Sequence, residues 1–273
     1  MPYVHVNGIT MYYDVRGDGP PVMLIGGLGA DARFWHRQVP VLARRMRVIT
    51  PDNRDAGRTD APDQAYSIRT MADDLAGLLD VLKTPVVGVV GASMGGFIAQ
   101  ELALSYPSYV SKLALCCTSF GGPKSVPIPQ ETVALLQNRT GDPANDLRAF
   151  LGIQFGTDYA HTHARDIEAY VAWRAGHPQP LPAYRRQLAA IAAHDTEARL
   201  GQVRVPALIM HGARDQVVPV VNAQLLAARI AGARVHVFPE GGHLFLWECA
   251  DEANRMLVEF LHSGSRNVHH KEG

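Results

Sequence analysis

The chain has 273 residues, 47% of them apolar, with 26 Lys plus Arg against 26 Asp plus Glu. That length suits one large α/β domain or one domain carrying an insertion. The balanced charge supplies no global field toward nucleic acid or an anionic membrane, so the expected partner is a small molecule.

In chain order, residues 3–6 and 9–15 flank Asn7-Gly8 and read as an antiparallel hairpin. Short β-branched runs follow at 22–25, 48–50 and 86–90, the last leading into a helix over 97–106, and a further strand covers 112–116. From Gly121-Gly122-Pro123 to about Asp195 no good strand occurs. Helices are predicted there at 131–138, from Asp142-Pro143 onward, at 164–174 and at 182–193, two of them with Pro at or near a first helical position. Strands resume at 207–210 and 235–238, and a terminal helix runs from about Asp251 to Leu261. The polar, His-rich stretch 263–273 reads as a loose terminus.

This alternation predicts an α/β fold with a mostly parallel sheet covered on both faces. Residues 1–120 form the first part of the core, 121–195 a helical cap and 196–273 the second part. Because the cap follows the strand at 112–116 on the carboxyl edge of the sheet, it is expected to cover the ligand site. The start, Met1 to His5, has no basic or apolar leader pattern, and no apolar stretch approaches about 18 residues, so a soluble cytoplasmic protein is expected. The adjacent Cys116 and Cys117 cannot bridge without severe strain, and with no C-x-x-C pair neither metal nor cofactor is expected.

Chemistry concentrates in Gly91-Ala92-Ser93-Met94-Gly95, which sets a serine at a strand-to-helix turn where side chains at 91 and 95 would collide with neighbouring elements. A serine hydroxyl needs a base, and the base needs an orienting acid. Among twelve histidines, His243 lies in Pro239-Glu240-Gly241-Gly242-His243, after the last strand and on the same sheet edge as the elbow. The acid is expected to be Asp215, after the strand at 207–210, which completes the chain order Ser93, Asp215, His243. Two backbone N–H groups should form an oxyanion hole: Met94, at a helix amino end, and Leu28, in Gly26-Gly27-Leu28-Gly29. Asp52 and Asp55 read as turn residues, and His161-x-His163 as a solvated turn. In the cap, Trp173, Tyr170, Phe150 and Phe155 are spaced to form an apolar inner face beside Arg174, Arg185 and Arg186. Trp173 and Phe150 are taken as substrate-binding, with core packing as the competing role for such a stripe.

Together, Gly26-Gly27-Leu28-Gly29, the run Asp52-Asn53-Arg54-Asp55-Ala56-Gly57-Arg58-Thr59, the elbow, Asp215 and Gly242-His243 resemble the α/β-hydrolase fold family over nearly the whole chain outside the cap. The similarity is greatest to the group of 3-oxoadipate enol-lactonases, aclacinomycin-type methylesterases and cofactor-free haloperoxidases. It implies an eight-stranded sheet and a serine hydrolase that cleaves a small carboxylic ester or lactone through an acyl-enzyme. The same triad serves C–C bond hydrolases and perhydrolases, and some relatives are non-catalytic receptors. A homodimer is compatible with this group. Two departures stand out: Gly26-Gly27 where many relatives have His-Gly, and Asp55 where the second motif usually carries glycine. Asp55 either faces the pocket or caps a turn.

Overall fold

The computed structural model describes residues 2–137 and 140–262. The expected terminus at 263–273 and the last residue of the helix expected at 131–138 lie outside the described residues. Strands β1 (Tyr3–Val6), β2 (Ile9–Arg16), β3 (Pro21–Ile25), β4 (Arg47–Pro51), β5 (Val87–Ala92), β6 (Val110–Cys116), β7 (Ala207–Gly212) and β8 (Arg234–Phe238) form one sheet in the order β1-β2-β4-β3-β5-β6-β7-β8. Only the β1–β2 and β2–β4 pairings are antiparallel; from β4 to β8 the sheet is parallel.

Between β3 and β4 lies the short α1 (Val39–Leu42), and α2 (Ile68–Val81) precedes β5. Ser67 opens α2 by accepting the Thr70 N–H in a capping box. Helix α3 (Met94–Ser105) follows β5 directly. Among the described residues, five α-helices stand between β6 and β7: α4 (Gln130–Gln137), α5 (Pro143–Gly152), α6 (Tyr159–Thr162), α7 (Ala164–Gly176) and α8 (Leu181–Ala192). We refer to them as the cap. Helices α9 (Val221–Ala227), α10 (Phe245–Glu248) and α11 (Ala250–His262) complete the chain described. None of the described helices is long and apolar enough to cross a membrane.

The parallel strands inside the sheet, unlike the edge strand β8, are largely buried on both sides, so their residues alternate between two cores rather than between core and water. Met23, Ile25, Val87, Val89, Leu113, Leu115 and Ile209 face one core with Ile98, Leu102 and Leu226. Leu24, Val90, Ala92, Ala114, Cys116 and Met210 face the other with Trp35, Trp247 and Leu257. All six residues of β5 are buried. This run is shifted from the expected 86–90, because Val86 is exposed while Gly91 and Ala92 continue the ladder with β6. The helix after it starts at Met94, three residues earlier than expected, since the turn uses Ser93 alone.

At the base of the cap, Gly121 bridges Asp195, and Gly122 N–H donates to His194 O at 2.9 Å. The His194 ring stacks on Phe97, with centroids 4.4 Å apart, and its side chain is 2% exposed. Burial lowers this imidazole to about 4, against the pull of the nearby Glu101 carboxylate. Held at about 4 in the folded chain, and titrating near about 6.5 when unfolded, it leaves stability untouched above about pH 6.5. As pH falls from there toward 4, the unfolded chain takes up a proton that the folded chain refuses. Its contribution to the acid-side loss should be about 3 kcal/mol by pH 4. Denaturant unfolding at pH 7, 5.5 and 4.5 should show this slope in the wild type and a flatter one in His194→Phe, which keeps the stack without the titrating ring.

Candidate active site

Ser93 carries φ 56° and ψ −122°, in the left-handed half of conformational space. Its N–H donates to Cys116 O at 2.9 Å, and its carbonyl accepts the Gly96 N–H and the Thr118 hydroxyl, each at 2.8 Å. The flanking glycines are required sterically. A Cβ at Gly91 would lie 2.2 Å from Gly95 O, and one at Gly95 would lie 2.1 Å from Ile25 O, both backbone atoms that cannot yield. Gly27 stands over the nucleophile: a Cβ there would come within 3.1 Å of Ser93 Cβ. Met94 is the first residue of α3, so its N–H has no carbonyl one turn back and faces the same edge as the serine.

Asp215 has a fully buried side chain with four bonds. Oδ1 accepts the N–H groups of Val217 and Val218, both at 2.8 Å. Oδ2 lies 2.8 Å from His243 Nδ1 and 3.1 Å from His211 Nε2. Burial alone would raise this carboxyl; its electrostatic attraction to His243 and the hydrogen bonds from His211 and His243 outweigh it and hold the group well below the usual carboxylate range. An ionised carboxylate only accepts, so His243 carries its proton on Nδ1 and leaves the Nε2 lone pair for proton transfer. His211 Nε2 also lies 2.8 Å from Val218 O, and two acceptors fix its proton on that nitrogen.

The His243 loop is fastened to the cap. Gly242 N–H donates to Glu248 Oε2 at 2.7 Å, while Glu248 Oε1 accepts the N–H groups of Gly156 and Thr157, both at 2.9 Å. Leu244 N–H donates to Gln154 O at 2.9 Å.

Ser93 and His243 line one chamber of about 80 Å³ together with Leu28, Cys117, Phe150, Gln154, Tyr170, Arg174 and Leu244. A second cavity of about 320 Å³ shares Ser93, Leu28 and Phe150 and is otherwise mainly apolar, with Met94, Phe97, Val126, Ile128, Leu188 and Ile191 in its wall. Arg174 also lines an outer cleft of about 310 Å³, and its Nε is buried with no hydrogen-bond partner among the described residues.

The residues expected from sequence thus occupy one region, with one correction. Ser93, His243, Leu28 and Phe150 share the chamber, Met94 joins Ser93 in the apolar cavity, and Asp215 stands behind His243. Trp173 does not contribute to these walls. Helix α7 presents Tyr170 and Arg174, one turn apart, to the chamber and sets Trp173 beside them against the core. There its indole N–H donates to Asp31 Oδ2 at 3.2 Å, Arg33 lies 3.1 Å above the ring and His177 stacks at 3.8 Å. Asp52 stands just before the turn at 54–59 and braces it, its carboxylate accepting from Ala32 N–H at 2.7 Å and Arg58 N–H at 2.9 Å. Asp55 does sit in a turn, at φ 67°, but its buried carboxylate neither caps that turn nor lines the pocket: it receives both Nε (2.8 Å) and Nη2 (2.9 Å) of Arg186 and the Tyr66 hydroxyl (2.7 Å). His161 is exposed, and His163 stacks on Tyr159 at 4.0 Å. Sequence reasoning missed His211, Gln154 and Glu248; of these, only His211, four residues before Asp215, carried a local signal.

Residues 20–250 match the family model of the α/β hydrolase fold. The chain belongs to that family. This α/β hydrolase is 32% identical over 262 residues to a protein of Variovorax paradoxus S110 that bears the name of a carbamate hydrolase, RutD, covering 93% of this chain and 96% of that one. It is 34% identical over 263 residues to a 2-hydroxy-6-oxononadienedioate/2-hydroxy-6-oxononatrienedioate hydrolase of Burkholderia vietnamiensis G4, covering 93% of this chain and 91% of the relative. The crystal structure of the enol-lactonase from Burkholderia xenovorans LB400 superimposes with a TM-score of 0.86 at 29% identity, over 95% of this chain and 99% of the other.

Because the Trp173 indole packs on Arg33, His177 and Asp31, Trp173→Ala should cost about 1–3 kcal/mol of unfolding free energy. Substrates of different size should be turned over in unchanged proportion, as a calorimetric melt and a chain-length series of esters will show.

Proposed function

We propose that this α/β hydrolase is a serine hydrolase that cleaves a small carboxylic ester or lactone through an acyl-enzyme. The observation that carries the reading is the buried Asp215–His243 pair opening on the chamber that holds Ser93 at the strained elbow. Ser93 Oγ attacks the carbonyl while His243 Nε2 takes its proton. Leu28 and Met94 N–H groups receive the oxyanion, and Asp215 keeps His243 in the competent tautomer. His243 then returns the proton to the leaving group, and water releases the acyl group by the reverse sequence. The partner is a small molecule, and neither nucleic acid nor membrane enters the reaction.

The two cavities divide the substrate. His243 lines the smaller chamber only, so the leaving group that it protonates belongs on that side, and the acyl group belongs in the apolar cavity. Arg174, with an unbonded buried Nε, makes the leaving-group side suited to a carboxylate. A second reading, a C–C bond hydrolase with the same triad, draws support from the 34% identity to a relative named for a dioate substrate. A panel of aryl esters, lactones and 2-hydroxy-6-oxodienoates separates the two.

Ser93→Ala should lower kcat by about 10⁴ to 10⁶ with the fold intact. Asp215→Asn, which favours the wrong tautomer, should cost about 10⁴, as the equivalent change does in a serine protease. Either variant retaining a tenth of wild-type turnover would refute the assignment.

Charge-assisted hydrogen bonds are worth about 1.5–3 kcal/mol, about 10- to 150-fold. Arg174→Gln should therefore reduce kcat/KM for 4-butyryloxybenzoate by that factor and leave phenyl butyrate within about threefold. Equal losses on the two esters would show that Arg174 does not read the carboxylate.

A further inference from the structure

The loop that carries Leu28 is not held by the core alone. Within the core, Ala30 N–H donates to Gly27 O at 3.1 Å and Asn53 Nδ2 donates to Gly26 O at 3.0 Å. The remaining tie comes from the cap. Gly29 N–H donates to Oε1 of Gln187, on α8, at 2.8 Å, and Gln187 has no exposed surface. The same side chain donates through Nε2 to Arg54 O at 2.8 Å, and its Oε1 also accepts Gln179 Nε2 at 3.1 Å. One cap amide therefore joins the two core loops that carry Leu28 and Asp55.

Its chain neighbour supplies the force that seats it. Arg186 forks onto Asp55 with bonds of 2.8 and 2.9 Å, and Gln179 Nε2 donates to Asp55 O at 2.7 Å. Asp55 is the residue that departs from the family glycine, yet it keeps a φ of 67°, which glycine would adopt without strain. The chain bears this strain and sets a buried carboxylate beneath α8. If α8 lifts, Gly29 N–H and Arg54 O lose their partner together, and buried backbone groups do not stay unpaired without rearrangement.

We propose that Gln187 is a positioning residue for the oxyanion hole, with the Asp55–Arg186 pair as the latch that seats it. Leu28 N–H is aimed at the reacting oxygen only while α8 is docked. The inference rests on the serine-hydrolase reading above.

The test compares the full wild-type chain with Gln187→Met, similar in size but without the amide, and with Asp55→Gly, which removes carboxylate and strain together. Kinetics with 4-nitrophenyl acetate and its thionoester analogue report on the hole, since sulfur exploits oxyanion donors poorly, and a fluorophosphonate reports on Ser93. Loss of a whole oxyanion donor costs about 10²–10³, so a misaimed one in Gln187→Met should lower kcat by about 10- to 100-fold. KM should stay within about threefold, and the ester-over-thionoester preference should shrink along with kcat. Asp55→Gly should shift the same preference by about 3- to 10-fold, and the double variant should fall short of the product of the two single losses. Should Gln187→Met not fold, Asp55→Gly carries the ester-to-thionoester comparison. Folded variants that lose both substrates equally, or keep wild-type kcat, overturn the proposal. A wild type that the fluorophosphonate fails to label overturns the serine-hydrolase reading, and this inference with it. A labelled wild type with an unchanged Gln187→Met overturns the inference alone.

Discussion

Ser93 stands at φ 56° and ψ −122°, a conformation that costs an L-residue on the order of 1–3 kcal/mol, and it persists because the elements on either side are fixed independently. Strand β5 is hydrogen-bonded between β3 and β6 with every residue buried, so its direction is not negotiable. Helix α3 lies so close to the sheet that Gly95 touches the Ile25 carbonyl. With both neighbours fixed, the chain must reverse within one residue, and the hydroxyl of that residue stands clear of the sheet edge. The contact that demands glycine at 95 also brings the Met94 N–H to the edge where β3 ends and the Leu28 loop begins. Strain and site geometry therefore share one cause, the close approach of α3 to β3.

Behind the serine the constraint is electrostatic. A buried carboxylate is costly unless its lone pairs are filled. Asp215 fills two of them with backbone N–H groups from its own loop, so its orientation is set before His243 arrives. His211 occupies part of the other oxygen and leaves His243 one direction of approach. An imidazole bonded this way keeps its tautomer without help from substrate. The ring stays in place because its loop is fastened at Gly242 to Glu248 and at Leu244 to Gln154.

Much of this was legible from residues near one another in sequence. The elbow, the Gly26–Gly29 loop and the chain order of Ser93, Asp215 and His243 follow from glycine spacing and from where apolar runs end. The strand positions followed from the same runs, with errors of a few residues where an exposed Val86 looked like core. What escaped depends on partners far along the chain. Asp55 meets Arg186 across 131 positions and Gly29 meets Gln187 across 158, and no local pattern announces either. The stripe that holds Trp173 leaves pocket and packing both open, because it gives the periodicity of a helix without its rotation, and a rotation of about 100° per residue separates a pocket wall from a core contact. Helix α2 is legible in the same way as the strands, from the Ser67 capping box and the buried face of Ile68, Met71, Leu75 and Leu78.

The seam between cap and core is of mixed chemistry: Leu151, Phe155, Tyr159, Ile167 and Val171 of the cap join Trp35, Trp247 and Leu244 of the core in one apolar cluster. The two sides of the sheet are closed by apolar packing, where exposure costs about 25 cal/mol per Å². Beside the apolar packing of the seam run polar ties: Gln187 to Gly29 and Arg54, Arg186 to Asp55, Glu248 to Gly156 and Thr157, Gln154 to Leu244. Polar groups exchange protein partners for water at a net cost of only about 0.5–1.5 kcal/mol each, so the stretch of seam around Gln187 and Arg186 parts more readily than the apolar stretch around Trp247. Closed, the same groups exclude water from the chamber and fix the loops around Ser93. The chamber of about 80 Å³ shares Leu28, Phe150 and Arg174 with the outer cleft of about 310 Å³, so the approach to Ser93 runs past the loop that Gln187 ties to the cap.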